Sequence, residues 1–152
     1  MKHSRSRLQE ALQYLHKEYH YIFLDCPPNI TLVSENIFRA ADLLLLPVIP
    51  TTLSMLSYQK LCRFFEKHGY DSEKLVAFFS MVENRKKLHR QLIEPTGYGE
   101  LRFLQNQIPY SAEVEKMGLT RRPLLEYRPH ANASLAYGRL WEELKTILKK
   151  IN

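Results

Sequence analysis

The sequence has few cysteines, few glycines and no long apolar run. Its two cysteines, Cys26 and Cys62, lie far apart, without the paired spacing of a zinc site or the density of a disulfide scaffold. No apolar run approaches the roughly 20 residues that a membrane-spanning helix needs. The first ten residues are basic and polar, and no apolar segment of a secretory signal follows them. We therefore expect a cytoplasmic protein with reduced thiols and no membrane segment.

The composition is typical of a compact globular domain. Of the 152 residues, 45% are apolar and 25% are charged, which suffices for a buried core and excludes fibrous and disordered classes. There is no internal repeat, low-complexity tract or linker, so we expect one domain over residues 1–152. The net charge of +6 allows attraction to nucleic acid but does not establish it.

Helical and apolar segments alternate along the chain. Continuous apolar runs predict buried strands over residues 21–24, 43–48 and 75–81. Apolar spacing of three and four predicts helices over 6–18 and 137–151. We also expect a helical stretch over 31–41, a basic helix over 86–93, and a further helix from a cap at Thr52 or Ser54 to Gly69. The residues predicted to face inward on that further helix are Leu53, Leu56, Leu61, Phe64 and Phe65. A short extended piece, 103–108, precedes Pro109. This alternation predicts an α/β fold with a mostly parallel sheet, in which ligands bind beyond the carboxyl ends of the strands.

The run YIFLDCPP places Asp25 at the carboxyl end of the first predicted strand. A Walker B aspartate occupies that position when it holds the water shell of a nucleotide-bound Mg²⁺. A strand that simply ends in a polar residue and a Pro-Pro turn explains the same pattern. On the run alone, the second interpretation is favoured, because such strand ends are common in α/β domains.

Four blocks of the sequence, in order, resemble the ParA-type partition ATPases, which are relatives of MinD. YHYIFLDCPP is similar to the family's YDYIIIDxPP, and RAADLLLLPVIP is similar to its AADxxLIPVxP. FFSMVENRKKLHRQLI resembles the family's next strand and basic turn, and the stretch from Ile108 resembles its IPxxxxVxEA ending, which closes on AYxxLxxEL. The resemblance covers nearly the whole chain. It implies a three-layer, mostly parallel sheet of the P-loop NTPase type.

The resemblance also implies a site for ATP and Mg²⁺ in the full-length family protein. Asp25 matches the Walker B aspartate, and this implies a catalytic and metal-holding role. Pro27 and Pro28 match the turn that responds to the γ-phosphate. The implied residues around the adenine are Met81, Pro109, Tyr110 and Ser111. Without the resemblance, Met81 and Pro109 would be ordinary core and turn positions.

Two motifs of the family are missing from the sequence. The phosphate-binding pattern KGGxGKTT does not occur, because none of the five glycines precedes Lys-Thr, and the DxDPQ switch is absent too. We therefore expect the C-terminal part of a ParA-type ATPase, either cut from a longer protein or encoded by a truncated frame. The family's P-loop strand lies between the strands predicted at 21–24 and 43–48. Its loss predicts an incomplete sheet, with no ATP hydrolysis and no tight nucleotide binding by this chain alone.

Basic residues form two groups, which are candidates for DNA contact. The first group is Arg85, Lys86, Lys87 and Arg90, with His89 among them, and the second is Arg121, Arg122 and Arg128. As plain sequence, such groups are typical of a solvated helix face. The resemblance favours DNA, because ParA-type dimers loaded with ATP bind nonspecific DNA through basic surface residues.

Two functions stay open at this point. The first is the C-terminal portion of an ATPase in plasmid or chromosome partitioning, which forms a homodimer, associates with the nucleoid and responds to a ParB-like stimulatory partner. The alternative is a truncated, non-catalytic relative that binds DNA or an intact paralogue.

Overall fold

A computed structural model describes residues 7–26, 30–94 and 101–151. The chain divides into two compact units, Met1–Leu44 and Leu45–Asn152. Within the described ranges, no helix is both long and apolar enough to cross a membrane.

The first unit contains two helices that contact each other, α1 (Arg7–Leu15) and α2 (Leu32–Ala40). Leu12 of α1 and Ile37 of α2 are buried. A capping box starts α2: the Thr31 N–H donates to Ser34 Oγ at 2.6 Å, and the Ser34 N–H donates to Thr31 Oγ1 at 3.4 Å. Each side chain therefore satisfies a backbone donor that the helix start would leave without an acceptor.

The prediction of a strand at 21–24 is wrong for this structure. Residues 21–26 have no regular secondary structure, and the side chain of Phe23 is 76% exposed. An apolar, β-prone run becomes a strand only where another strand completes a hydrogen-bonded ladder with it. The sheet that the described residues form contains two other segments.

In the second unit, β1 (Leu44–Val48, with Leu44 at the unit boundary) and β2 (Leu75–Phe79) form a parallel sheet. All five residues of β2 are buried, as its unbroken apolar sequence predicts. The prediction of an α/β fold with a parallel sheet is thus confirmed for this small sheet.

Helix α3 (Thr52–His68) joins the two strands. Its N-cap is Thr51, whose Oγ1 accepts the N–H of Ser54 at 3.3 Å, so the predicted caps, Thr52 and Ser54, are both wrong. Its C-cap is Gly69, as predicted, with φ +66°. The predicted inward face is only partly correct, because the buried residues are Met55, Tyr58 and Phe65 whereas Leu53 is 75% exposed.

The rest of the second unit is helical apart from its connecting segments. Its helices are α4 (Lys87–Ile93), α5 (Ala112–Glu115), α6 (Met117–Thr120), α7 (Leu124–Tyr127) and α8 (Asn132–Ile151). Along α8, Leu140 and Leu144 are buried as predicted, while the predicted core residue Ile151 is 47% exposed.

The core beside α3 is aromatic. Phe103 stacks on Phe79 with ring centroids 4.2 Å apart, and Tyr58 meets Phe103 edge-on at 5.4 Å. The predicted extended piece 103–108 is not a full strand. It is attached to β2 and the loop after it through isolated parallel bridges, Ala77 with Phe103 and Val82 with Pro109.

Candidate functional site

Beyond its carboxyl end, β2 is followed by a short parallel pairing. The Ile108 N–H donates to the Phe79 carbonyl at 2.8 Å, and the Val82 N–H donates to the Ile108 carbonyl at 3.0 Å. The Tyr110 N–H donates to the Val82 carbonyl at 2.9 Å. Pro109 has no N–H, and its place opposite Val82 requires none. This pairing brings together, at one edge of the sheet, the four residues predicted around the adenine: Met81, Pro109, Tyr110 and Ser111.

Met81 has a left-handed backbone, with φ +55°, and its side chain is 42% exposed. The carbonyls of Phe79 and Val82 accept hydrogen bonds from the N–H groups of Ile108 and Tyr110. The two carbonyls are three positions apart in sequence, whereas the two N–H groups are only two positions apart. Met81 therefore lies in a bulge, where one segment carries an extra residue. The left-handed region costs a residue other than glycine about 1–2 kcal/mol, and such strain is concentrated at functional sites.

Tyr110 is half-exposed. The nearby carboxylate of Glu115, on α5, raises the pKa of the Tyr110 phenol, while the ammonium of Lys86 opposes the rise. Glu115 did not emerge from the sequence as a site residue.

Ser111 is the N-cap residue of α5, and its carbonyl accepts the Val114 N–H at 3.0 Å. Its side chain makes no capping hydrogen bond. Nearby in the chain, Gln107 Oε1 is buried without a hydrogen-bond partner among the residues that the structure describes. A buried acceptor without a donor destabilises the folded state by about 1–3 kcal/mol. A ligand N–H group that donated to Gln107 Oε1 would remove this cost.

The loop between β2 and α4 depends on His89 and Glu83, whose role there the sequence did not reveal. His89 is buried, and its Nδ1 accepts the Glu83 N–H at 3.1 Å, which assigns the ring proton to Nε2. The Glu83 carboxylate pairs with the Lys86 ammonium. His89 therefore supports the loop and is not part of the basic surface with which it was grouped. Its spacing of three and four from Leu92 and Ile93 is the signal that it shares their inward face.

Only part of the first basic group forms contacts with other residues of the chain. Lys86 pairs with Glu83, and Arg90 Nη1 donates to the Asn84 carbonyl at 2.6 Å. Arg85 and Lys87 are exposed and have no salt bridge with any residue in the described ranges.

The second basic group lies beside apolar side chains. Arg122 Nε pairs with Glu126 at 3.3 Å, and Arg128 Nε approaches Glu113 at 3.9 Å. Arg121 ends α6 with φ +50°. A shallow concavity of about 430 Å³ is lined by Arg121 and Arg122 together with Met117, Pro123, Leu124, Leu125 and Tyr137.

Asp25 lies in the first unit, exposed, in the segment without regular structure. The neighbouring thiol of Cys26 has a raised pKa, through partial desolvation and through the Asp25 carboxylate. Pro27 and Pro28 lie outside the described residues. In the part of the chain that is described, no three His, Cys, Asp or Glu side chains group as a metal site would need. One carboxylate is nevertheless compatible with Mg²⁺, which keeps several waters and binds nucleotide phosphates.

Comparison with known proteins gives a consistent result. A family model described as an AAA domain matches residues 1–76. The chromosome partitioning protein ParA of Myxococcus xanthus is 25% identical over 143 residues, which cover 91% of this chain and 50% of the relative. A ParA family protein of Chlamydia muridarum is 25% identical over 157 residues, covering 99% of this chain and 60% of the relative. The sporulation initiation inhibitor protein Soj of Bacillus subtilis is 25% identical over 144 residues, which cover 91% of this chain and 56% of the relative.

The structure defines an α/β protein with a small parallel sheet and an elaborated edge beyond its second strand. Because the family match spans half of the chain, this chain belongs to the AAA domain family, as a ParA-type partition ATPase region. The family resemblance in the sequence is thereby confirmed. The chain spans about half to three-fifths of the length of these relatives.

Proposed function

We propose that this chain is the C-terminal portion of a P-loop NTPase of the ParA family, which acts in ATP-dependent plasmid or chromosome partitioning. The observation that carries the proposal is the pairing of residues 79–82 with 108–110. It gathers at one edge the residues that family membership suggests for the adenine. That edge follows the carboxyl end of a parallel strand, where α/β sheets bind their ligands.

In this proposal the exposed Met81 and the half-buried Pro109 offer apolar contact to the base, and Tyr110 and Ser111 border it. Asp25 would hold the water shell of Mg²⁺, with Pro27 and Pro28 in the turn next to the γ-phosphate. When bound, ATP and Mg²⁺ supply the phosphoryl group and the cation that neutralises its developing charge. A homodimer and a ParB-like stimulatory partner belong to the same proposal.

Nonspecific DNA binding is assigned to the two basic groups, Arg85, Lys86, Lys87 and Arg90 together with Arg121 and Arg122. Within these groups, Arg85, Lys87 and Arg121 are exposed and have no salt bridge within the described ranges. Arg85 and Lys87 carry the proposal, because they lie two positions apart in the same group. Lys86 and Arg122 already pair with carboxylates. Phosphate contacts by such side chains attract DNA without reading its sequence.

The same two residues favour a second candidate function, a non-catalytic relative that binds DNA or an intact paralogue. Their exposure does not depend on a nucleotide. DNA binding that ATP leaves unchanged, in a chain without ATP hydrolysis, would favour this candidate.

The test of the nucleotide proposal is a titration of the chain with adenosine, followed by NMR. We expect weak binding, because adenosine offers only its base and ribose to an exposed edge, with shifts at Met81 and Tyr110. Met81→Gly should weaken binding several-fold and, by relieving the left-handed strain, raise the unfolding free energy by up to about 1 kcal/mol. Arg121→Gly is the matched control, because Arg121 also has a positive φ.

Arg121→Gly should share the gain in stability and leave the adenosine shifts unchanged. Guanosine is the second control, since it tests whether the edge selects adenine. The nucleotide proposal is contradicted if saturating adenosine moves no signal at Met81 or Tyr110, or if both glycine variants bind adenosine as the unchanged chain does.

A further inference from the structure

The segment that reaches the candidate site contains a second bulge, at Gln105 and Asn106. The N–H groups of Leu104 and Ile108, four positions apart, donate to the carbonyls of Ala77 and Phe79, which are two positions apart. The distances are 2.7 Å and 2.8 Å. In a regular parallel ladder these separations would be equal, so two extra residues protrude from the pairing.

The protruding residues take their acceptors from α8. The Gln105 N–H donates to Glu143 Oε1 at 2.7 Å, and the Asn106 N–H donates to Glu143 Oε2 at 2.9 Å. The side-chain amide of Asn106 donates to Glu143 Oε2 at 2.7 Å. One carboxylate thus receives three hydrogen bonds, and hydrogen bonds to a charged acceptor are stronger than neutral ones.

Glu143 is firmly placed for this contact. It precedes the buried Leu144 and follows the buried Leu140 by three positions on the 20-residue helix α8. Its neighbour Glu142 is exposed and pairs with Lys145 at 2.8 Å instead. The two adjacent glutamates therefore differ in role, and only Glu143 reaches the bulge.

We propose that Glu143 is a positioning residue for the candidate nucleotide edge. By fixing the bulge, it sets the register in which Ile108 and Tyr110 pair with Phe79 and Val82, and so it places Pro109. The significance of that placement for a base rests on the proposed function. The positioning itself is a property of this chain without any nucleotide.

The experiment is residue-resolved amide hydrogen exchange on Glu143→Gln and Glu143→Ala, with Glu142→Gln as the matched control. We expect exchange about tenfold or more faster at Gln105 and Asn106, which lose one acceptor oxygen in Glu143→Gln and both in Glu143→Ala, and also at Ile108, Val82 and Tyr110. The reference amide is Tyr70, which donates to the Phe65 carbonyl at 2.9 Å at the other end of α3. Each rate is taken as a ratio to Tyr70, so that a general loss of stability cancels.

If amide exchange becomes faster only at Gln105 and Asn106, the proposal is overturned, because the Glu143 carboxylate would then support only the bulge. Unchanged ratios at all five amides, or the same acceleration in Glu142→Gln, would overturn it as well. In a parallel arm, Glu143→Gln should weaken adenosine binding about fivefold or more. If the unchanged chain shows no adenosine shifts, the proposed function fails, and the exchange ratios still decide whether Glu143 positions the segment.

Discussion

At the scale of single residues, Tyr58 links α3 to the segment that leads to the candidate site. Its hydroxyl donates to the Arg102 carbonyl at 3.1 Å, and its ring packs edge-on against Phe103. Only 3% of the residue is exposed. Burial, with a further contribution from the negative charge of the nearby Cys62 thiolate, raises the pKa of Tyr58 to about 12.

This shift predicts a loss of stability in alkali. An unfolded tyrosine ionises near pH 10, while the folded chain keeps Tyr58 neutral up to about pH 12. The unfolded state therefore releases a proton first, and the unfolding free energy contributed by this group is complete below about pH 10 and declines until about pH 12. Denaturant unfolding of the chain and of Tyr58→Phe at several pH values measures the difference.

Tyr58→Phe should show a shallower decline over that range, because it has no phenol to ionise. Tyr14→Phe is the control, since Tyr14 is 81% exposed. Equal slopes for the unchanged chain and Tyr58→Phe would show that the buried phenol does not govern the alkaline transition.

At the scale of elements, the sequence predicted those features that depend on neighbouring residues. The apolar runs at 43–48 and 75–81 contain β1 and β2, and Gly69 ends α3 as its position suggested. The run at 21–24 has the same character but is not a strand, because a strand also needs a partner elsewhere in the chain.

For the candidate site, the sequence suggested residues but not the contacts between them. Pro109, Tyr110 and Ser111 came from a recognisable block, whereas the contacts that shape the site join positions far apart in sequence. Glu143 reaches residues nearly forty positions away, with separations of 38 and 37. No local pattern could reveal that contact, nor the bulge that gives Met81 its positive φ.

The end of α3 offers a direct test of local conformation. Gly69 has φ +66°, and a Cβ built there would meet nothing within 4 Å. Gly69→Ala should therefore cost about 1 kcal/mol of unfolding free energy through backbone strain alone. Thermal unfolding would show this as a decrease in Tm of about 2–4 °C.

Gly138→Ala is the control, because Gly138 lies within α8 and a Cβ there also meets nothing within 4 Å. Alanine favours a helix interior, so this variant should be neutral or stabilising. A Gly69→Ala variant as stable as the unchanged chain would contradict the strain argument.

At the scale of the whole molecule, the net charge of +6 attracts any polyanion, so DNA binding must be tested against charge alone. If Arg85 and Lys87 contact phosphates, their joint reversal to Glu should weaken binding equally for duplexes of unrelated sequence. Each lost phosphate contact removes about 0.9 from the slope of log affinity against log salt, so the slope should flatten by roughly 1.8.

Joint reversal of Lys60 and Lys67 is the matched control. Both are exposed on α3, and the variant changes the net charge by the same amount. Fluorescence anisotropy across a salt series measures affinity and slope together. If the two double variants weaken binding equally, charge alone explains the attraction, and the assignment to Arg85 and Lys87 is wrong.

The bulge at Gln105 and Asn106 also has a consequence for how this chain can change in length over evolution. Together with the bulge at Met81, it separates the two bridges of one parallel pairing. Deleting two residues there would bring the N–H groups facing Ala77 and Phe79 into regular register, and the pairing along β2 would become a third strand that ends at the Met81 bulge. Related chains that are two residues shorter at this point should therefore have a wider sheet, and in them the position of Glu143 would be released from its contact and free to vary.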